Sequence, residues 1–217
     1  PATTRHVEKA MINDSQTGQA LVALYDTPGL EDASGLLDWV EDNTAARRDG
    51  VERLQQFLAS PLAQNEFSQE AKVIRQLIAS DMAVYVIDAR GPVLGKYKDE
   101  LTVLSWSAIP VMPVFNFTQG QDSNIVEWQQ MLARRNLHVS TRFDSVAFEF
   151  GDEIKLWQNL ETMLIQPEII QQLIERRQAD WDGLYDDANI IIAHFLLNVA
   201  AFVETIHEDD DPLPTLQ

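Results

Sequence analysis

The sequence contains no cysteine. That excludes disulfides and thiolate metal sites, and it suits a reducing compartment such as the cytoplasm. No apolar run reaches the length of a bilayer. The longest, Ile190 to Val203, is interrupted by His194 and Asn198. A buried helix is therefore expected there, with His194 and Asn198 on one face as a polar pair in a core, and no transmembrane segment. Basic residues are scarce: 16 Lys and Arg stand against 34 Asp and Glu, a formal net charge of -18. Such a surface repels phosphate backbones and anionic lipid, so no direct nucleic-acid partner is expected. The four histidines (His6, His138, His194, His207) lack metal-ligand spacing. No signal peptide is expected, and the sequence holds no internal repeat or low-complexity stretch.

What is present is enough for a packed domain: 217 residues, 45% of them hydrophobic. Short β-type runs alternate with helical patterns, which predicts α/β architecture with a mostly parallel sheet. Arg5 to Ile12 reads as a strand, Asn13 to Gly18 as a hairpin turn and Leu21 to Tyr25 as its antiparallel partner. Helices are expected over 33–41, 45–59 (ended by Ser60-Pro61), 69–80, 94–107, 124–136 and 152–164. Met82 to Asp88, Val111 to Phe115 and Ser145 to Phe150 read as strands buried on both faces. Pro167 opens a different pattern, expected to form two long helices, 168–182 and 187–207, joined around Gly183. The tail Glu208-Asp209-Asp210-Asp211 is acidic and reads as solvated.

One segment carries a chemical signature. In Leu21-Val22-Ala23-Leu24-Tyr25-Asp26-Thr27-Pro28-Gly29 an apolar strand ends in a carboxylate, followed by a Pro-Gly turn. A strand-end Asp can reach a nucleotide-bound Mg²⁺ through water. A Gly lets a backbone N–H approach a terminal phosphate with no Cβ in the way. Open α/β sheets place their ligands at such strand ends. The same residues also suit a plain connection in which Asp caps a helix and Pro-Gly makes a turn.

With Thr3-Thr4 some twenty residues upstream, this layout resembles the translation-factor-related GTPases of the Era and TrmE type, where Asp-Thr-Pro-Gly is the second phosphate-contacting motif. Pro1-Ala2-Thr3-Thr4-Arg5-His6-Val7-Glu8, Leu24 to Asp32, Val146 to Gly151 and the helical end are similar to bacterial GTPases with a C-terminal domain of unknown function, DUF3482. The resemblance spans most of the chain. It implies a P-loop NTPase G domain, a three-layer sandwich truncated at its N-terminus over 1–165, with a C-terminal helical extension over 166–217. It implies GTP/GDP as ligand, Mg²⁺ as cofactor, a GTPase activity and a protein effector. The residues it assigns are Thr3, Thr4, Asp26, Thr27, Pro28 and Gly29 at the triphosphate and Asn116 at the base. Asp26 and Gly29 would be catalytic, and Thr4 and Asp26 would hold the metal.

The sequence also departs from that family. Gly-x-x-x-x-Gly-Lys-Ser/Thr, which supplies a cradle of N–H groups and a lysine for phosphate, is absent. The chain enters at Thr3 to Ala10 into what reads as the middle of a fold, so the loop is expected upstream and this stretch alone is expected to bind nucleotide weakly. Where the family has Asn-Lys-x-Asp for guanine, this chain has Asn116-Phe117-Thr118-Gln119. A carboxylate accepts from both guanine N–H groups and a glutamine through one oxygen only, so base selectivity, including GTP over ATP, stays open unless Asp122 substitutes. Asn116 equally suits a loop-capping role. Leu30 stands where many GTPases carry a water-positioning Gln, which predicts slow intrinsic hydrolysis. Glu31 and Asp32 are expected to be solvated, and Asp88 to shape its loop. The other expectation is a degenerate G domain that serves as an interaction scaffold without turnover.

Overall fold

The computed structural model of the chain describes residues 6–118 and 124–202. Thr3, Thr4, Gln119 and Asp122 lie outside the described residues. The chain divides into two compact units, Pro1–Arg176 and Arg177–Gln217.

The first unit opens with the expected hairpin. β1 (Glu8–Asn13) pairs antiparallel with β2 (Ala20–Asp26), in a register that sets Glu8 opposite Asp26. The turn forms because Asp14 gathers it: its Oδ1 accepts from the amides of Gln16 at 2.8 Å and Thr17 at 2.9 Å. Gly18, at φ 70, closes the turn in the left-handed region. Ile12, Leu21 and Val22 face a core formed by Met112, Val114, Trp157, Leu160 and Leu173.

Between the hairpin and the next strand lies a helical layer: α1 (Ala33–Asn43), α2 (Gly50–Leu58), a short 3-10 turn (Pro61–Gln64) and α3 (Ser68–Ile78). Leu36, Val40, Leu54, Phe57 and Ile74 form the core of this layer, joined by Val103 from the later helix Gly95–Trp106. Phe57 packs edge-on between Trp39 and Phe67. α2 begins at Gly50, later than the apolar spacing predicts. A Cβ at Gly50 would come within 2.6 Å of the Trp106 backbone, so glycine is required for this close approach. Arg53 lies over the Trp106 ring, 4.5 Å from its centroid.

The parallel sheet has the order β3 (Ala83–Asp88), β4 (Val111–Asn116), β5 (Thr141–Arg142), with α4 (Gly95–Trp106) and α5 (Ile125–Ala133) in the crossovers. The first unit is thus a mixed α/β fold with a three-stranded parallel sheet. β4 is buried on both faces as its composition predicts: Val111 and Phe115 join Ile87, Leu101 and Trp128 on one side, and Met112 and Val114 face Trp157 and Leu160 on the other. β3 is not. Val84 and Val86 are 44% and 63% exposed, so among the described residues one face of this strand is left uncovered.

Three expectations are corrected. Residues 145–150 form no strand; the strand beside β4 is Thr141–Arg142, and α6 (Phe150–Glu161) follows the loop. The amides of Ser145, Val146 and Ala147 are bonded to side-chain oxygens of Asn116 and Asp144 and are not available to a ladder. The C-terminal pattern forms one helix, α7 (Glu168–Ala200), running through Gly183. An isolated glycine weakens a helix by about 1 kcal/mol but leaves its hydrogen bonds in place. Ile190 to Phe202 are exposed, His194 and Asn198 included, instead of buried.

Candidate functional site

Two corners at strand ends hold the residues singled out by the sequence. At the first, β2 delivers Asp26 to the surface. Thr27 is half-buried, Pro28 buried and Gly29 exposed. Gly29 has no left-handed φ, and a Cβ built on it meets nothing within 4 Å. Neither backbone strain nor crowding among the described residues requires glycine there.

Beyond Gly29 the chain is pinned. Leu30 packs against both the sheet core and the helical core. Asp32 caps α1, accepting from the Gly35 amide at 2.8 Å, and its own amide donates to Glu70 Oε1 at 2.9 Å. Asp32 is thus a cap as well as a surface carboxylate, and the buried Glu70 of α3 is its anchor. The Ser34 hydroxyl donates to Asp99 of α4.

The second corner joins the ends of β4 and β5. Asn116 Oδ1 accepts from the amides of Phe117 at 2.8 Å and Ser145 at 3.0 Å, and Asn116 Nδ2 donates to Ser145 Oγ at 3.0 Å. Phe117 takes a left-handed backbone, φ 56, stabilised by that first bond. Asp144, 6% exposed, accepts from Thr118 N at 2.9 Å, Val146 N at 3.0 Å and Ala147 N at 3.2 Å. Next to this corner, Asp88 accepts a bidentate pair of bonds from Arg90 and also the Arg90 amide, which shapes the loop as expected. The hydrogen bonds from the Arg90 side chain hold the Asp88 carboxyl below its usual range and push the guanidinium up. Arg90 in turn lies over the Phe117 ring, 4.0 Å from its centroid.

Asp26, Thr27, Pro28 and Gly29 are therefore contiguous at one strand end, and Asn116 belongs to a separate, self-bonded cluster. Asp144 and Ser145 are hidden in the sequence because 145–150 looks like a strand. The polar pair Asp144-Ser145 directly after an apolar residue, Phe143, is the signal that marks a strand end instead. Asp14 is hidden there too. Its Oδ2 accepts from Gln172 Nε2 and Arg176 Nε, both at 3.0 Å, which ties the hairpin turn to the start of α7. The Thr17 amide, with further help from Gln16, Gln172 and Arg176, holds the Asp14 carboxyl well below the usual carboxylate range. Behind the sheet, the Tyr85 hydroxyl donates to Glu100 at 2.6 Å, and burial raises both groups.

No group of three His, Asp or Glu side chains suited to a metal exists among the described residues. Asp26 offers a single exposed carboxylate, which is the usual protein share at a Mg²⁺ that also has phosphate and water ligands. A cavity of about 240 Å³, lined by Leu101, Thr102, Ser105, Arg135 and Asn136 among others, shares no residue with either corner. No helix among the described residues is long and apolar enough to cross a membrane.

No curated protein matches the chain. Residues 129–216, which take in the end of α5, β5, α6 and α7, match the family described as Domain of unknown function (DUF3482), as the C-terminal resemblance predicts.

Proposed function

We propose that this chain is the larger part of a GTP-binding protein that hydrolyses GTP with Mg²⁺ as a molecular switch, when joined to a phosphate-binding loop. The supporting observation is the Asp26–Gly29 segment: an exposed carboxylate at a strand end, and three residues on a glycine that nothing among the described residues requires. Asp26, with Thr3 or Thr4, would hold the ion, which neutralises phosphate charge when bound. Thr27 and Pro28 shape the approach, and the Gly29 amide would donate to the γ-phosphate. Leu30 is committed to two cores and has no group to orient water, so intrinsic turnover is slow and an effector or partner supplies what is lacking. The segment from Gly29 through α1 would answer to the triphosphate, with Asp32–Glu70 and Ser34–Asp99 as the contacts that register its position. The domain boundary proposed from sequence, 1–165 and 166–217, belongs to this reading, as does its cytoplasmic setting.

A second reading is a degenerate G domain that acts as a non-catalytic scaffold. The Asn116 corner favours it: the amide that would read a base is bonded within the protein, and Phe117 replaces the lysine. Binding of GTP, ATP and xanthosine triphosphate to the intact protein, with and without Mg²⁺, separates the two. Mg²⁺-dependent preference for GTP supports the switch. Equal affinity for all three sinks the guanine assignment, and no binding leaves the scaffold.

A further inference from the structure

The second unit presents an unusual helix face. Along α7, Trp181, Tyr185, Ala188, Ile192, Leu196 and Val199 recur at spacings of four and three and fall in one row. Leu184, Ile191 and Phe195 form a second row beside it. At 3.6 residues per turn the two rows make an apolar stripe roughly 140° wide and about 27 Å long. Every large apolar side chain in it is exposed, from 44% for Trp181 to 68% for Ile191. A stripe of this width on a helix is made to be covered.

The charges around the stripe indicate what covers it. In its N-terminal half Asp182 borders one edge and Asp187 the other, with Asp186 behind. Helices that lie on membrane surfaces carry Lys and Arg in these places, and anionic headgroups would repel these aspartates. A second copy of the chain brings another formal charge of -18. A protein helix with an apolar stripe and basic rims satisfies both the stripe and its borders.

We propose that residues 181–199 are a docking surface for a helical protein partner whose apolar face is flanked by Lys and Arg. Ile192, Phe195 and Leu196 form the C-terminal half of the contact, and Asp182 and Asp187 at the other half select the partner's charge. Docking here requires no nucleotide, so it is tested separately from the triphosphate site.

The test uses two labelled synthetic amphipathic helices with the same Leu/Ile stripe, one with Lys at its rims and one with Glu. Binding to the 217-residue chain is followed by fluorescence anisotropy at low and high salt. The Lys peptide is expected to bind about tenfold tighter, the worth of a few rim charge pairs, and to lose that advantage in high salt. Leu196→Gln should abolish binding of both peptides without moving the unfolding midpoint, because Leu196 is exposed; Phe195→Gln is the second such variant. Asp182→Asn combined with Asp187→Asn should erase the preference and keep the stripe binding. Equal binding of the two peptides, or none, overturns the proposal. So does a stable dimer that Leu196→Gln dissociates, or binding to phosphatidylserine vesicles that the same variant removes.

Discussion

At the end of β2, Asp26 stands exposed and Gly29 has open space before it; at the ends of β4 and β5, Asn116 and Asp144 commit their oxygens to the protein's own amides. Both corners place polar residues at strand ends, the first on the two-stranded hairpin and the second on the three-stranded parallel sheet. They differ in burial: Asp144 is 6% exposed and Asp26 stands at the surface. A buried carboxylate saturated by backbone amides is part of the fold, and removing it leaves those amides unsatisfied. An exposed carboxylate at a strand end keeps most of its hydration, so replacing it costs less. The glycines repeat the contrast. Gly50 is forced by Trp106, and Gly29 is forced by nothing among the described residues.

The largest stability effect should therefore come from the inward corner. Asp144→Ala strands the amides of Thr118, Val146 and Ala147 and should cost about 3 kcal/mol in denaturant unfolding. Asp26→Ala should change stability by less than about 0.5 kcal/mol, as surface substitutions do. Equal costs would break the comparison. Next in size, Gly50→Ala must displace the Trp106 backbone and should cost about 1–3 kcal/mol. Gly29→Ala should leave the unfolding midpoint nearly unchanged while weakening triphosphate binding by the intact protein.

Asp14 sharpens the contrast through pH. Its carboxyl is held below the usual range in the folded state. Its contribution is therefore complete above the unfolded carboxylate value, about 4, and is lost as pH falls from there toward the depressed folded value. Asp14→Asn should lower the unfolding midpoint at neutral pH, with the gap from the native chain closing in acid. Glu100 works in the opposite sense: burial raises it, so it costs stability as pH rises from the unfolded value through the folded one. Glu100→Gln keeps an acceptor for Tyr85 and should raise stability at neutral pH by less than about 1 kcal/mol.

The sequence shows much of this architecture. The β1–β2 hairpin, the buried β4, the α/β alternation and Asp26–Gly29 at a strand end are visible because strand and turn periodicities are local. What stays hidden depends on side chains reaching across the chain. Ser145 to Phe150 looks like a strand until Asn116 and Asp144 claim its first amides. Gly183 looks like a break until the helix is seen to continue through it. Ile190 to Phe202 looks like core, since composition reports a tendency to be covered and says nothing of what does the covering. The Asp14–Arg176 bond links residues 162 positions apart and leaves no local trace.

The most direct measurement is Mg²⁺-dependent GTP hydrolysis by the intact protein bearing Asp26→Ala, with its unfolding midpoint measured alongside. Loss of turnover with an unchanged midpoint is the predicted result. Retained turnover would contradict the account and reduce Asp26 to a turn residue.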